Sequence, residues 1–280
     1  MPIRPERTDP LAAFVATERE GWADAATARA YSDGFSEASA QHVPHLVRAV
    51  RAGPGTRALD LCCGHGIVAE GLAAAGCAVT MLDFSPVMLE MARARVPSAR
   101  AIEGDAGRLP FADAAFDAAT MGFGLPHLPD PAAALAEAHR VLRPGARFAG
   151  SCWLPAEESL GLGAVFRAIA AHGDLSVALP PGPAMNAFAD PDHAFPALEA
   201  AGFADPRIRI VASHWEADDP GAPFDLFDRG TARGGALLGP QPQTARRAIR
   251  AAVAAQVRAA LGEGPCWRIP IPAAIVSARA

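Results

Sequence analysis

At 280 residues the chain can form one large α/β domain with appended segments or two small domains, and 51% hydrophobic against 20% charged residues exclude global disorder. A formal net charge of −5 with no basic block leaves counterion release without a source, so DNA and RNA partners are not expected. Lysine is absent, which removes Schiff-base chemistry and the lysines of phosphate-binding loops and kinases. Cys62, Cys63, Cys77, Cys152 and Cys266 form no CxxC pair and no zinc spacing, so neither a disulfide framework nor a metal site is expected. The opening segment scatters charge through its apolar residues, and no later run of about 20 residues escapes charge or proline. This predicts no signal peptide, no membrane span and a reducing cytoplasm.

From Asp9 to Arg51, the apolar residues Leu11, Phe14, Val15, Trp22, Tyr31, Phe35, Leu46 and Val50 recur at helical intervals. Interruptions around Ser32 to Gly34 and at Pro44 predict two or three helices. Beyond Gly53-Pro54-Gly55 the pattern alternates. It predicts strand Arg57 to Leu61, helix Ile67 to Ala75, strand Ala78 to Leu82 and helix Pro86 to Arg95, with Ser85 as N-cap. Strands Ala99 to Glu103 and Phe116 to Met121, helix Pro131 to Leu142 and strand Arg147 to Trp153 follow. Leu154 to Phe188 breaks the rhythm with one helix, Leu160 to Ala171, and the loop Pro180-Pro-Gly-Pro183. Helix Pro191 to Ala201, strand Arg207 to Trp215, helical material from Phe224 to Leu261 and a last strand from Ile269 to Ser277 complete the chain. Pro270 and Pro272 push the start of that strand toward an edge. Repeated strand and helix units specify a Rossmann-like, doubly wound, mostly parallel sheet with helices on both faces and a ligand site at the carboxyl ends of its strands.

The segment Ala58-Leu-Asp-Leu-Cys-Cys-Gly-His-Gly66 carries the chemistry. Gly64 and Gly66 let the chain turn sharply between strand and helix, leaving bare amides facing a ligand. A dinucleotide fingerprint would need glycine where Ala69 stands and would not place Asp60 in the strand, so the match to NAD is poor.

Asp60 to Gly66 resembles the first signature of class I S-adenosylmethionine (SAM) methyltransferases. Later segments agree in order and spacing: Met81-Leu-Asp-Phe-Ser-Pro86, Glu103-Gly-Asp-Ala106, Leu109-Pro-Phe111, Leu125-Pro-His-Leu-Pro-Asp-Pro131 and Arg140-Val-Leu-Arg-Pro-Gly145. The resemblance covers Arg57 to Trp153 closely and Phe188 to Trp215 loosely. Position 62 is often glycine in the family, and the double cysteine looks most like its quinone C-methyltransferase branch. Seven strands are implied, with a helical lid at 1–55, a SAM-binding core at 56–153, an insertion at 154–187 and completion of the core with a further helical insertion at 188–280.

The resemblance implies SAM as cofactor, with Asp83 on the ribose hydroxyls and Asp105 and Ala106 at the adenine. Asp60 would take the ammonium directly or through water, and Cys62, Gly64, Gly66, Phe84 and Met121 would complete the cofactor site. Asp105 could instead cap a turn, and the cysteines read as packing at a strand end. For a phenol, enol or quinol acceptor a histidine is the natural base. His127 lies where the acceptor would meet the methyl group, although it could equally pin its loop. His65 places an imidazole near the methionine end of the cofactor. Tyr31 is a candidate for closing on the cofactor's carboxylate or a core aromatic.

The expected activity is methyl transfer to oxygen or carbon of a small, largely apolar metabolite, aromatic, quinone or polyketide-like, in a secondary pathway, by a monomer or homodimer. Two alternatives stay open. One is a SAM-binding enzyme of the same fold catalysing decarboxylation, hydroxylation or cyclisation; the other is a SAM-binding regulator without turnover.

Overall fold

Arg57–Leu61 (β1) alternates residues between two buried layers: Leu59 and Leu61 join one core and Ala58 the other. The computed structural model describes residues 11–280. The first ten residues, counted with the lid and weighed for a signal peptide, lie outside the described residues. Ala78–Asp83 (β2), Arg100–Glu103 (β3), Phe116–Gly122 (β4) and Leu142–Trp153 (β5) join β1 in a parallel array. Ala273–Arg279 (β9) inserts antiparallel between β5 and the edge strand Ala204–Val211 (β6). The seven-stranded order β3-β2-β1-β4-β5-β9-β6 reverses direction between β1 and β4, where a crevice opens beyond the strand ends. This is the Rossmann-like sheet the alternation predicts.

One face is covered by Pro131–Val141 (α6) and Pro191–Ala200 (α8), and the other by Val43–Ala49 (α3), Ile67–Ala74 (α4) and Pro86–Arg95 (α5). Ser85 caps α5 as expected, accepting from the Met88 amide at 3.2 Å, with Pro86 in the first turn. Its hydroxyl also donates to the Trp22 carbonyl at 2.7 Å, tying the N-terminal helix Ala12–Ala23 (α1) to the sheet.

The predicted interruption at Ser32 to Gly34 does not occur: Ala25–Ala40 (α2) runs through it. Gly34 serves packing there, because a Cβ would lie 2.1 Å from Leu226 Cδ2. The breaks fall at Asp24, whose carboxylate caps α2 through the Thr27 amide, and before α3, whose first turn holds Pro44.

The single strands expected at Arg207 to Trp215 and Ile269 to Ser277 are each two. His214–Ala217 (β7) and Trp267–Pro270 (β8) form a separate two-stranded sheet. Ser213 ties the change of sheet, its carbonyl accepting from the Ile271 amide at 2.8 Å and its hydroxyl donating to the Ile271 carbonyl. Pro272 cannot donate to a ladder at the joint.

The N-terminal helices and the insertion are not separate bodies. Phe35 from α2 belongs to one apolar cluster with Leu162, Val165 and Ile169 of Leu160–His172 (α7), Phe224 and Phe227 of Ala222–Gly230 (α9) and Ile249 and Val253 of Gln243–Leu261 (α11). Ala232–Leu238 (α10) meets α1 where a Cβ on Gly21 would lie 2.3 Å from Ala232 Cβ. These helices share one apolar core. Among the described residues, no helix is long and apolar enough to cross a membrane.

Candidate active site

Asp83, at the end of β2, is the centre of the cleft. Its Oδ2 accepts from the Gly64 amide at 2.8 Å and its Oδ1 from the Ser85 amide at 2.9 Å, so one carboxylate braces both the glycine turn and the start of α5. Burial raises its pKa against the pull of these amides. Gly64 sits at φ 53°, and a Cβ there would meet nothing within 4 Å. The backbone thus lies bare toward open space, as a ligand approaching the amide requires. Gly66, at φ 85°, is needed for packing instead, since a Cβ would come within 3.0 Å of Ala92 Cα and force α4 away from α5.

Cys62 also adopts a left-handed backbone, at φ 50°, which costs a residue with a Cβ and accounts for the glycine usual at this position in the resembled family. Phe123 does the same at φ 59° across the cleft. Between them Gly124 is obligatory, since a Cβ would lie 2.6 Å from that of Cys62. Both cysteine thiols at the turn are pushed up by burial and by the nearby carboxylates, which disfavours the thiolate that a nucleophile needs.

The cleft encloses about 910 Å³ of empty space, part of it open to solvent. Cys62, Gly64, Asp83, Phe84, Asp105 and Ala106 line it, together with Tyr31 and His127. Asp105 also accepts from the Gly107 amide at 2.8 Å, so the turn-capping and cleft-lining positions coexist. Met121 does not reach the cleft, because strand alternation turns it into the core beside Ala119 and leaves Gly122 and Phe123 at the wall.

An inner cavity of about 370 Å³ lies behind Tyr31 and is lined by Asp60, Cys63 and His65. Asp60 is fully buried; its Oδ1 accepts from the Thr120 hydroxyl at 2.8 Å while Oδ2 has no partner among the described residues. Burial pushes its pKa up to about 7. Burial and Arg95 push the His65 imidazole down to about 4, and its Nε2 meets the Ser36 hydroxyl at 2.8 Å. Tyr31 stacks on Phe35 with centroids 5.2 Å apart, and burial raises its phenol to about 12, so its hydroxyl remains a donor.

His127 follows β4 in the turn Leu125–His127. Its Nδ1 lies 2.8 Å from Oε2 of Glu18, a carboxylate on α1 that no sequence motif marks. Trp22 donates to the same oxygen at 2.9 Å and meets the His127 ring edge-on at 5.3 Å. A weaker signal was present: Glu18 stands between Phe14 and Trp22 at four-residue steps, on the buried stripe of α1.

Among the described residues, Glu37, His214 and Glu216 lie close enough to share a cation. Arg268 already occupies that surface, 2.8 Å from His214 Nε2 and 3.3 Å from Glu216 Oε1. The group is an ion-pair cluster.

Residues 59–150 match the family model of a methyltransferase domain. Over 102 residues the chain is 48% identical to the demethylmenaquinone methyltransferase of Renibacterium salmoninarum, covering 36% of this chain and 43% of the relative. The corresponding enzyme of Staphylococcus epidermidis is 43% identical over 108 residues, 36% and 44% of the two chains. The chain therefore spans less than half the length of these curated relatives. Around the domain, the fold resembles that of Haemonchus contortus phosphoethanolamine N-methyltransferase 2, solved with phosphomonomethylethanolamine and S-adenosylhomocysteine. The TM-score is 0.60 at 16% identity, over 96% of this chain and 60% of that one. At this identity the likeness is one of fold, and it extends over nearly the whole chain.

Proposed function

We propose that the chain is a SAM-dependent methyltransferase acting on carbon or oxygen of a small, flat, largely apolar acceptor of the quinol or phenol type. The observation that carries this is the cleft itself: a carboxylate, Asp83, beside a bare glycine turn at Gly64, with an unpartnered buried carboxylate oxygen on Asp60 deeper in and Asp105 at the other end. This spacing suits the ribose, ammonium and adenine amine of SAM. Asp83 would hold the ribose hydroxyls, Asp60 the ammonium, and Asp105 with Ala106 the adenine edge. Phe84, Cys62 and Gly64 shape the walls, Gly66 and Met121 back them from the packed side, and the Tyr31 hydroxyl faces the cofactor's carboxylate as a donor. The demethylmenaquinone methyltransferase relatives support a quinol ring as acceptor.

When bound, SAM supplies a methyl group on a sulfonium: the acceptor's electron pair makes the new bond, and the old carbon–sulfur pair stays on sulfur as S-adenosylhomocysteine forms. What remains for the protein is alignment, exclusion of water and removal of the acceptor's proton. His127 is the group we assign to that proton, taken from an acceptor O–H onto Nε2. His65, held neutral behind Tyr31, is the second imidazole to test. The domain division into lid, core and insertion belongs to this reading, with α1 as the part of the cap that covers the cleft. Five free thiols suit a reducing cytoplasm. Light scattering decides between monomer and homodimer.

Calorimetry with SAM and NAD, followed by single-turnover detection of S-adenosylhomocysteine with quinols and phenols, tests the proposal. SAM binding and S-adenosylhomocysteine formation are expected. Binding of NAD without SAM overturns the cofactor. Acceptor conversion without S-adenosylhomocysteine makes it a cyclase-, decarboxylase- or hydroxylase-type enzyme, and SAM binding with no conversion a regulator.

A further inference from the structure

We propose that Glu18 is the positioning residue of His127, a carboxylate carried on the lid helix that fixes the imidazole's tautomer and balances the charge it gains when it takes the acceptor's proton. The inference rests on the assignment of His127 as base. Glu18 is 3% exposed, and a carboxylate taken out of water at that depth is costly unless something compensates it. The compensation is specific. Oε2 accepts from Trp22 Nε1 and meets His127 Nδ1, whereas Oε1 is buried with no partner among the described residues. The attraction of His127, its hydrogen bond and that of Trp22 together outweigh desolvation and hold the Glu18 carboxyl below its ordinary range.

An ionised carboxylate only accepts, so the hydrogen of a neutral His127 sits on Nδ1 and the lone pair on Nε2. The ring lines the cleft with Nδ1 turned to Glu18, which makes Nε2 the nitrogen offered to an acceptor. Trp22 fixes the ring plane from the side, at an interplanar angle of 89°. When the proton leaves the acceptor oxygen for Nε2, the imidazolium forms 2.8 Å from a carboxylate that is already desolvated, so no water need reorganise. A residue kept only to fill α1 would be apolar and would not reach across to the loop after β4. The other charges facing this pair are Asp83 after β2, Asp105 after β3, Arg19 on α1 and Arg233 on α10.

The test is Glu18→Gln, which keeps an acceptor for Nδ1–H and removes the charge. Turnover should fall by about 10²–10³-fold, while SAM affinity measured by calorimetry changes less than about threefold. In the free protein, the His127 ring titration followed by NMR, identified by its loss in His127→Gln, should move to lower pH. The acidic limb of the pH–rate profile should move with it, because a less stabilised imidazolium gives up its proton sooner. Glu18→Asp, with the charge withdrawn by one methylene, should recover part of the rate and of the titration, and it serves if the Gln variant fails to fold. An unmoved titration and limb in Glu18→Gln overturn the proposal and make Glu18 a packing residue. Normal turnover of His127→Gln also overturns it, by removing the base. The two failures are distinct, because the ring titration is read without acceptor or cofactor.

Discussion

Asp83 does two things at once, and its removal should show both. Losing a charge-assisted bond to the ribose should weaken SAM binding by about 1.5–3 kcal/mol, or roughly 10- to 150-fold, in Asp83→Ala. The same change strands the buried amides of Gly64 and Ser85, so the melting temperature should fall as well. Asp83→Asn, which keeps one acceptor, should melt closer to the parent while still binding SAM more weakly; unchanged affinity by calorimetry in both variants would remove Asp83 from the cofactor site. For His127, replacement by glutamine should lower turnover by about 10²–10⁴-fold with SAM affinity nearly intact. If stability and cofactor affinity drop together instead, the imidazole only pins its loop. The placing of Asp60, Gly64, Asp83 and Asp105 at or just beyond strand ends, in a spaced order, was readable in advance. Glu18 was only weakly marked, because its four-residue steps from Phe14 and to Trp22 compete with the run Glu18-Arg19-Glu20, which looks like a solvated helix face.

Helix α1 is the element that, in the proposed reading, controls access to the cleft. It carries Val15, Glu18 and Trp22 to the cleft, and it is held by the Ser85–Trp22 bond, the Glu18–His127 contact and the close seat of Gly21 on Ala232. Amide exchange in Ala12–Ala23 should therefore slow when S-adenosylhomocysteine binds, while β1 and β4 change little. In Gly21→Ala the added Cβ has no room against α10, so α1 should exchange faster in the free protein and lose part of its ligand-induced protection. Equal protection of α1 with and without ligand would mean that it is fixed cap and not lid. Elements were legible wherever period and punctuation agreed, as in β1, α4, β2 and α5. They were misread where a local rule met a tertiary need: Gly34 breaks nothing because Leu226 fills its missing side chain, and the run Arg207 to Trp215 changes sheet at Ser213.

Across the molecule, buried carboxylates couple stability to pH in opposite senses. Asp60 titrates near 7 when folded and near 3.9 when unfolded, so between these values the folded chain holds a proton that the unfolded chain has released. Stability should accordingly fall as pH rises from about 4 to 7, with a limiting slope of about 1.4 kcal/mol per unit, and level off above. Asp83, also raised by burial, adds in the same sense. Glu18, whose folded value is lowered, contributes stability above its unfolded pKa that is lost as pH drops through the folded one. Melting temperatures of the parent and Asp60→Asn from pH 4 to 8 should show a flatter curve for the variant. If Asp60 receives the ammonium of SAM, binding near pH 6 should release up to about one proton, seen as buffer-dependent calorimetric heats that vanish in Asp60→Asn. Heats independent of buffer in the parent would leave Asp60 without that role.

The sequence by itself determined the sheet, its parallel core and the glycine turn and acids at one end of the cleft. Those features rest on short-range facts: alternation of apolar residues, glycines that alone tolerate φ 53° and 85° without strain, and acids placed where strands end. Only the tertiary structure decided what else faces the cleft. The joining of α2 with α7, α9 and α11 in one core, the exchange of strands at Ser213 and Ile271, and the meeting of Glu18 with His127 across 109 positions depend on long-range packing. No local pattern records such contacts, because the burial that makes them worth forming exists only once the chain has closed.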